Sequence, residues 1–338
     1  MVLSDEQRAR LLRAQLGALV RGLTGADLEA VSVGVNAAAS DEAKAFVLSN
    51  TADAATLAGS IAWALRQGAS TLTLFTDDLA GDVARMAGYF SVPVEVRSVQ
   101  GAGSVSVEAS PLPEHVATPR SAETDRLSAQ LRDAGLEVVV EDGVIRGEVQ
   151  GLEVARLVLW PVESGGDGAL HLEAGVGRFD RDAVAAMHQG EEPTVTLARS
   201  VAMVRAERVA GSSTHPLTRM ARERWLRRSL VEDPGRVGAR SLEPIGTTVR
   251  SESVRDVTPA AALGADHDGE PVVVVCSVGA DLSFVPVAAD TREWQSPSAR
   301  LVLVVAERDR LATLDRLAGL LREPAEVRTV TAPWDVPS

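Results

Sequence analysis

The sequence predicts an α/β fold with two ββαβαβ units, one at each end of the chain, around a middle αβββα region. Short apolar runs bounded by turn residues alternate with helix-forming stretches in the first hundred residues, which is typical of strands joined by helices. The same order of elements returns near the C-terminus. A segment of fifteen residues also recurs in similar form, at equivalent places in that order.

The N-terminal unit, residues 1–100, opens with a helix. Ser4 and Gln7 have the spacing of a capping box, and the leucines that follow make one apolar face that ends near Gly22. Apolar runs then predict strands, and Pro93 bars a helix from continuing into the last of them. These strands are predicted at 31–35, 45–49, 71–75 and 94–99, with helices at 53–68 and 79–90.

The C-terminal unit, residues 272–338, repeats this order with a poorer helix in the third position. Pro324 opens its last strand, as Pro93 does in the first unit. The strands are predicted at 271–279, 282–290, 300–307 and 325–330, with a helix at 310–323.

The segment "RMAGYFSVPVEVRSV", residues 85–99, matches "RLAGLLREPAEVRTV", residues 316–330, at eight of fifteen positions. In both, Ala-Gly near the helix end allows close packing on a sheet, and a Glu and an Arg two residues apart share one strand face. This predicts a duplicated α/β unit whose copies form a pseudo-symmetric pair with the same strand order. The alternative is two unrelated segments that converged on similar composition.

Composition excludes several classes of function. The formal charge of −13 argues against indiscriminate nucleic-acid binding, and the lone Cys276 excludes internal disulfides and zinc sites built from several cysteines. No G-x-G-x-x-G or P-loop motif supports an NAD- or ATP-dependent enzyme. Without a long apolar run or a secretory signal, the chain is expected to be cytoplasmic, with no membrane partner.

Two loose stretches separate the units from the middle region. Residues 101–125 are rich in Pro, Ser and Gly, and residues 232–271 are acidic with little periodicity, so both are predicted to be linkers. The middle region, 126–231, contains helix- and strand-like segments in the order αβββ(β)α. Its helices are predicted at 126–135 and 180–189, and its strands at 136–142, 144–149, 152–160 and 170–176.

This order, with acidic residues on a β-meander, resembles the core of the PD-(D/E)xK, or restriction-endonuclease-like, superfamily. The resemblance implies that two acidic residues hold Mg²⁺ and that a nearby Lys activates water. Glu153 and Glu173 match the two acids, whereas the Lys position is occupied by Gly175, and Arg178 replaces only its charge. The whole chain is also similar to an uncharacterised actinobacterial protein family, which supplies no function.

Shorter motifs are weaker candidates. Glu42-Ala43-Lys44 is a literal E-x-K, but it is predicted to lie in a solvated turn. His171 precedes Glu173 by two residues, and the zinc deaminase site this suggests needs further cysteines. "DHD" at 266–268 is interpreted as a solvated turn rather than a metal site, and "GVGR" at 175–178 as a weak anion-binding turn.

The segment 213–231 concentrates positive charge in an acidic chain, and a continuous helix is predicted over 216–229. Ser213 or Thr214 would cap this helix. A helical wheel places two arginines among its apolar residues, where we expect internal ion pairs to Glu153, Glu173 or the acidic linker. The inward pair is Arg224 and Arg228; the set expected to be available to an anion or nucleic acid is Arg219, Arg222, Arg227 and, for base stacking, Trp225.

Two functions from different classes follow. The first is a non-catalytic intracellular binding or scaffold protein with a degenerate nuclease-like region, whose partner is a protein or a nucleic acid. The alternative is a metal-dependent phosphodiesterase or nuclease that uses Glu153, Glu173 and Arg178, with Mg²⁺ as its cofactor.

Overall fold

A computed structural model describes residues 4–77, 80–118, 120–160, 162, 166–176, 193–209, 211, 215–250 and 256–335. Within these ranges the chain combines helices with mixed sheets, which confirms the predicted α/β class. No helix among the described residues is both long enough and apolar enough to cross a membrane.

The helices are α1 Asp5–Thr24, α2 Ala54–Arg66, α3 Gly81–Ala87, α4 Ala122–Asp133, α5 Pro193–Glu207, α6 Arg222–Glu232, α7 Phe284–Gln295 and α8 Ala312–Gly319. In the described parts of the chain, 3₁₀ turns include Pro216–Thr218, Pro234–Val237 and Glu307–Asp309. The strands are β1 Val31–Val33, β2 Asn36–Ser40, β3 Lys44–Ser49, β4 Thr71–Thr76, β5 Val94–Gln100, β6 Gly103–Ser106, β7 Glu137–Glu141, β8 Val144–Val149, β9 Leu152–Leu159, β10 Leu170–Ala174, β11 Ser241–Ile245, β12 Ala260–Ala265, β13 Pro271–Cys276, β14 Arg300–Ala306 and β15 Glu326–Val330.

The chain divides into two units that each contain distant parts of the sequence. The first comprises Met1–Leu112, Ala280–Asp290 and Arg310–Glu326, and the second comprises Pro113–Gly279, Thr291–Asp309 and Val327–Ser338.

The first unit contains a six-stranded sheet in the order β1-β2-β3-β4-β5-β6, with β3, β4 and β5 parallel. The predicted capping box of α1 is present, because the Ser4 hydroxyl accepts from Gln7 N and the Gln7 side chain accepts from Ser4 N. The apolar face of α1 packs on the sheet, where Leu16 lies in one cluster with Phe46 and Phe75. Burial of this amphipathic face is what stabilises the helix.

The two similar segments meet inside the first unit. Phe90 and Leu321, which are equivalent positions 231 residues apart, form an antiparallel bridge. Ser91 N donates to Leu320 O (2.8 Å), and the equivalent Arg322 N donates to Tyr89 O (2.8 Å). Each bond is thus the counterpart of the other, as expected for two segments related by a local two-fold axis.

A buried ion pair also joins these parts of the first unit. Arg85 on α3 contacts both carboxylate oxygens of Asp290 on α7 (2.8 and 3.0 Å), and the Tyr89 hydroxyl donates to the same carboxylate (2.8 Å). The bond to Asp290 raises the pKa of Arg85, against the opposing effect of burial. Arg85 also reaches Asp82, whose side chain is 71% exposed, whereas that of Asp290 is 2% exposed.

The second unit contains two sheets. The middle sheet is an antiparallel meander in the order β10-β9-β8-β7, as predicted for 136–176. Its apolar face packs against α4 and α5, with Leu131, Leu152 and Val204 in one core. The predicted closing helix at 180–189 lies outside the described residues. The other sheet has the order β11-β12-β13-β14-β15 and packs against α6.

Two predictions for the C-terminal part were wrong. Residues 282–290 belong largely to helix α7, because Pro286 lies in the first helical turn, where its missing N–H costs no hydrogen bond. The strand that pairs with β13 is instead β12. It lies within residues 232–271, which were predicted to be a linker and which also contain β11. Gly264 in β12 leaves no room for a Cβ atom, which would lie 1.8 Å from Ser241 O of β11.

With these corrections the two ends show one order of elements. Strands β2, β3, β4 and β5 with helices α2 and α3 correspond to β12, β13, β14 and β15 with α7 and α8. In each, the first pair of strands is antiparallel and the next pair is parallel. The shared order and the reciprocal hydrogen bonds agree with an internal duplication, which stays a prediction.

We predict that Asp290→Ala lowers the free energy of unfolding by about 3–5 kcal/mol, because it leaves the largely buried guanidinium of Arg85 without its main partner. The matched control is Asp82→Ala, which removes the exposed partner of the same arginine and should cost less than about 1 kcal/mol. Urea unfolding of both variants measures the difference. Equal and small effects would show that the Arg85–Asp290 pair does not stabilise the fold.

Candidate functional site: the charged face of the middle sheet

One face of the middle sheet is lined with charged side chains. The pairing register places them together: Glu137 lies opposite Glu148, and Arg146 lies opposite Arg156. The register shifts between Gly147 and Glu148, so that Glu153 and Arg156, three residues apart, share this face. The charged face consists of Glu137 and Glu141 on β7, Arg146 and Glu148 on β8, Glu153 and Arg156 on β9, and Glu173 on β10.

Helix α6 supplies the cations that neutralise this face. Arg224 contacts Glu141 (2.7 Å) and Glu148 (3.2 Å). Arg227 contacts the same two carboxylates, with 3.2 Å to Glu148. Arg228 pairs with Glu137 at the edge of the face. These bonds are charge-assisted and fix the position of the helix over the sheet.

The opposite side of α6 is apolar. Trp225, Leu226 and Leu230 lie in the core of the C-terminal sheet with Val274 and Val302. The helix therefore has one side on a charged sheet face and the other on an apolar one.

Glu153, the first acid expected to bind a metal, forms ion pairs with two arginines. It is 2% exposed, and its two carboxylate oxygens lie 3.0 Å from Arg146 Nε and 2.7 Å from Arg156 Nε. Carboxylates bound in this way are neutralised within the protein and leave no charge for a cation.

Glu173, the second expected acid, lies at the outer end of the charged face. It is opposite Arg156 in the register, and Trp160 Nε1 donates to its Oε1 (3.3 Å). The Trp160 ring stacks on His171 (4.1 Å between centroids), which bonds to Asp167 (2.8 Å). Arg178 lies outside the described residues. In the part of the chain that the structure describes, no group of three or more His, Cys, Asp or Glu is arranged to hold a metal.

The arginines determine the ionisation of the buried carboxylates. Burial alone would raise the pKa of Glu141, but the charges of Arg227, Arg224 and Arg146 outweigh it and lower this pKa to about 2. At the rim, burial raises the pKa of Glu137 despite its bond to Arg228.

The expectation of internal ion pairs is confirmed for Arg224 and Arg228, although their partners are Glu137, Glu141, Glu148 and Glu232. It was wrong to assign Arg227 and Trp225 to an exposed surface, since they are 1% and 2% exposed.

The predicted helix is interrupted: a 3₁₀ turn at 216–218 is followed by Ala221 at φ 45°, and α6 begins only at Arg222. A helical wheel drawn over 216–229 assumes one continuous helix. It therefore gives wrong relative directions for side chains before and after Ala221. The N-cap of this turn is His215; Ser213 and Thr214 lie outside the described residues.

Two arginines of the predicted binding set are less buried. Arg219 is exposed. Arg222 is half-buried, with Nε donating to Thr218 O (2.8 Å) and its guanidinium 4.9 Å from the Trp334 ring centre.

The short motifs lie in turns. Asp41 accepts from Ala43 N (2.9 Å) and Lys44 N (2.7 Å), which makes Glu42-Ala43-Lys44 part of a tight hairpin turn. Asp266 accepts in the same way from Asp268 N and Glu270 N. The turn at 175–178 is described only as far as Val176.

No protein-family model matches this chain, and comparison with curated proteins and with solved structures gives no match either.

We predict that Arg227→Ala destabilises the protein by about 3–5 kcal/mol, because Glu141 and Glu148 would stay buried with too few cations. Arg219→Ala, an exposed arginine three residues before α6, is the control and should change stability by less than about 0.5 kcal/mol. Equilibrium urea unfolding compares them. A tolerated Arg227→Ala variant would mean that the network is dispensable.

We also predict a loss of stability in acid. Because the pKa of Glu141 is lowered on folding, its contribution is complete above the unfolded-state pKa of about 4.3 and is lost as the pH falls toward 2. The free energy of unfolding, followed from neutral pH down to about pH 3, should therefore fall below about pH 5.

In Glu141→Gln this acid-dependent slope should be shallower: the variant is less stable than the parent protein at neutral pH, by a margin that narrows toward pH 3. Glu6→Gln, a change at an exposed carboxylate on α1, should leave the slope as in the parent protein. Identical slopes in the parent protein and Glu141→Gln would contradict the assignment.

Proposed function

We propose that this chain is a non-catalytic binding protein and that its nuclease-like middle region serves as a structural support. One observation carries the proposal: both oxygens of the Glu153 carboxylate are held by arginines, Arg146 at 3.0 Å and Arg156 at 2.7 Å. A magnesium site needs carboxylate oxygens that face the ion. Here the position of the first metal ligand is used for an internal ion pair.

The remaining parts of a hydrolytic site also argue for this proposal. Gly175 stands where the resembled superfamily has its water-activating Lys, and the Arg156 side chain is on the sheet face that Glu153 and Glu173 share. A guanidinium there repels a divalent cation and is a poor proton-transfer group.

Nucleic acid is not the favoured partner. Trp225 is 2% exposed, so its ring is not presented for base stacking, and Arg227 is committed to Glu141 and Glu148. Arg219 and the half-buried Arg222 are left from the predicted set, in a chain with a formal charge of −13. Two arginines neutralise too few phosphates to bind strongly at physiological salt.

The proposal predicts no metal-dependent hydrolysis. Incubation of the full chain with Mg²⁺ or Mn²⁺ and with plasmid DNA, single-stranded RNA or bis(p-nitrophenyl) phosphate should give no product above a protein-free control. Isothermal titration with Mn²⁺ should give no saturable binding. Glu153→Gln, whose side chain cannot be a carboxylate ligand, should behave like the parent protein in both measurements.

The phosphodiesterase alternative makes the opposite prediction. Metal-dependent cleavage by the parent protein that is lost in both Glu153→Gln and Glu173→Gln would overturn the proposal, because background contamination would not respond to these substitutions.

A further inference from the structure

Among the described residues, one cavity of the second unit is lined by two arginines and by no carboxylate. It has a volume of about 340 Å³ and is lined by Gln150, Arg205, Arg208, Val209, Trp225 and Pro333. Neither Arg205 nor Arg208 takes part in the ion network of the charged face. The lining therefore offers two guanidinium groups beside apolar walls and contains no carboxylate.

Arg208 is the deeper of the two and is 2% exposed. Its Nη1 donates to the carbonyl oxygens of Leu217 (2.8 Å) and Met220 (2.6 Å), and its guanidinium lies 4.4 Å from the centre of the Trp225 ring. Among the described residues, no carboxylate comes within 4.0 Å of Arg208, and its buried Nε has no hydrogen-bond partner.

This arginine differs from the others that are buried beside it. Arg224 and Arg227 each contact two carboxylates, whereas Arg208 contacts only carbonyl dipoles and an aromatic ring. Burial lowers the pKa of Arg208 to about 9, which the charges of Glu148 and Glu223 oppose only in part. At neutral pH the group is still protonated, so it is a buried cation that no carboxylate of the described residues contacts directly.

Arg205 lies at the rim of the cavity, one helical turn before Arg208. It is exposed, and its Nη2 donates to Gly135 O (2.6 Å), a bond that holds the guanidinium in place. The side chain thus adds a second, more exposed cation to the lining.

Gln150, another lining residue, has a backbone conformation that is unfavourable for its type. It has φ 50° in the two-residue turn between β8 and β9. The next residue, Gly151, has no room for a Cβ atom, which would lie 2.4 Å from the Arg224 backbone. This close approach holds the turn against α6 and leaves Gln150 in a strained position, a feature that clusters at binding sites.

We propose that this cavity binds a small organic molecule through an oxyanion group, either a phosphate or a carboxylate. The oxyanion would accept hydrogen bonds from Arg208, Arg205 and the Gln150 amide, while Val209, Trp225 and Pro333 contact its apolar part. The inference rests on the proposed function and names the ligand class of that binding protein. A purely structural role for Arg208, holding the 217–220 turn, explains its Nη1 bonds but not the second arginine or the cavity.

Inorganic phosphate and benzoate are the probes that test the site, each measured against NaCl of equal ionic strength. We expect at least one of them to raise the melting temperature of the full chain with saturable concentration dependence, and to give a saturable isotherm in titration calorimetry. Phosphate alone would indicate a phosphorylated ligand, benzoate alone a carboxylate, and either result supports the site.

Arg205→Gln is the decisive variant, because the side chain is exposed and the loss of its bond to Gly135 O should lower the melting temperature without anion only slightly. It should weaken binding of the effective anion by at least about tenfold. Arg219→Gln, the loss of an exposed arginine that does not line the cavity, should bind as the parent protein does.

Three results would overturn the inference: no anion-specific effect up to about 10 mM, an affinity unchanged in Arg205→Gln, or equal weakening in Arg205→Gln and Arg219→Gln. The last would indicate nonspecific screening. None of these results depends on the hydrolysis assay. A failure of the cavity to bind anions can therefore be distinguished from a failure of the proposed function.

Discussion

Charge neutralisation over the middle sheet is the constraint on which the second unit depends. Glu141 and Glu148 are buried beneath α6, and Arg224 and Arg227 project from one side of that helix onto them. Removing several charges from water costs several kcal/mol per ion, so the arrangement is stable only when donors and acceptors are matched. The helix can occupy this position only in one register, because a shift by one residue would bring Trp225 rather than Arg224 to the carboxylates.

The same constraint explains why Glu141, Glu148 and Glu153 contact arginines instead of facing a cation. A sheet face that carries carboxylates can meet a metal ion or a basic helix, and the two uses compete for the same oxygens. Arg146 on β8 and Arg156 on β9 bring this competition into the sheet itself, since both contact Glu153. Glu153 and Glu173 were expected to bind a metal together; the pairing register places both on one sheet face, where Glu153 contacts arginines.

Local sequence signals predicted much of the fold. The capping box of α1, the strand after Pro93 and the antiparallel meander are all specified by neighbouring residues, and each is present. What escaped prediction depends on packing. Strands β2 and β12 are rich in alanine, which has low strand propensity, and they form because strands pair on both of their edges. The cavity beside Arg208 has no local signal, since its lining residues come from four distant segments.

The reciprocal bonds between Ser91 and Leu320 and between Arg322 and Tyr89 have a consequence for assembly. A segment that hydrogen-bonds to its own equivalent is self-complementary, which is the property of an isologous interface between identical subunits. Within one chain the effective concentration of the two similar segments is fixed by their linkage, so this contact needs no second molecule. Segments of one chain can also differ in sequence, which identical subunits cannot: Tyr89 contacts Asp290, while the equivalent position carries Leu320.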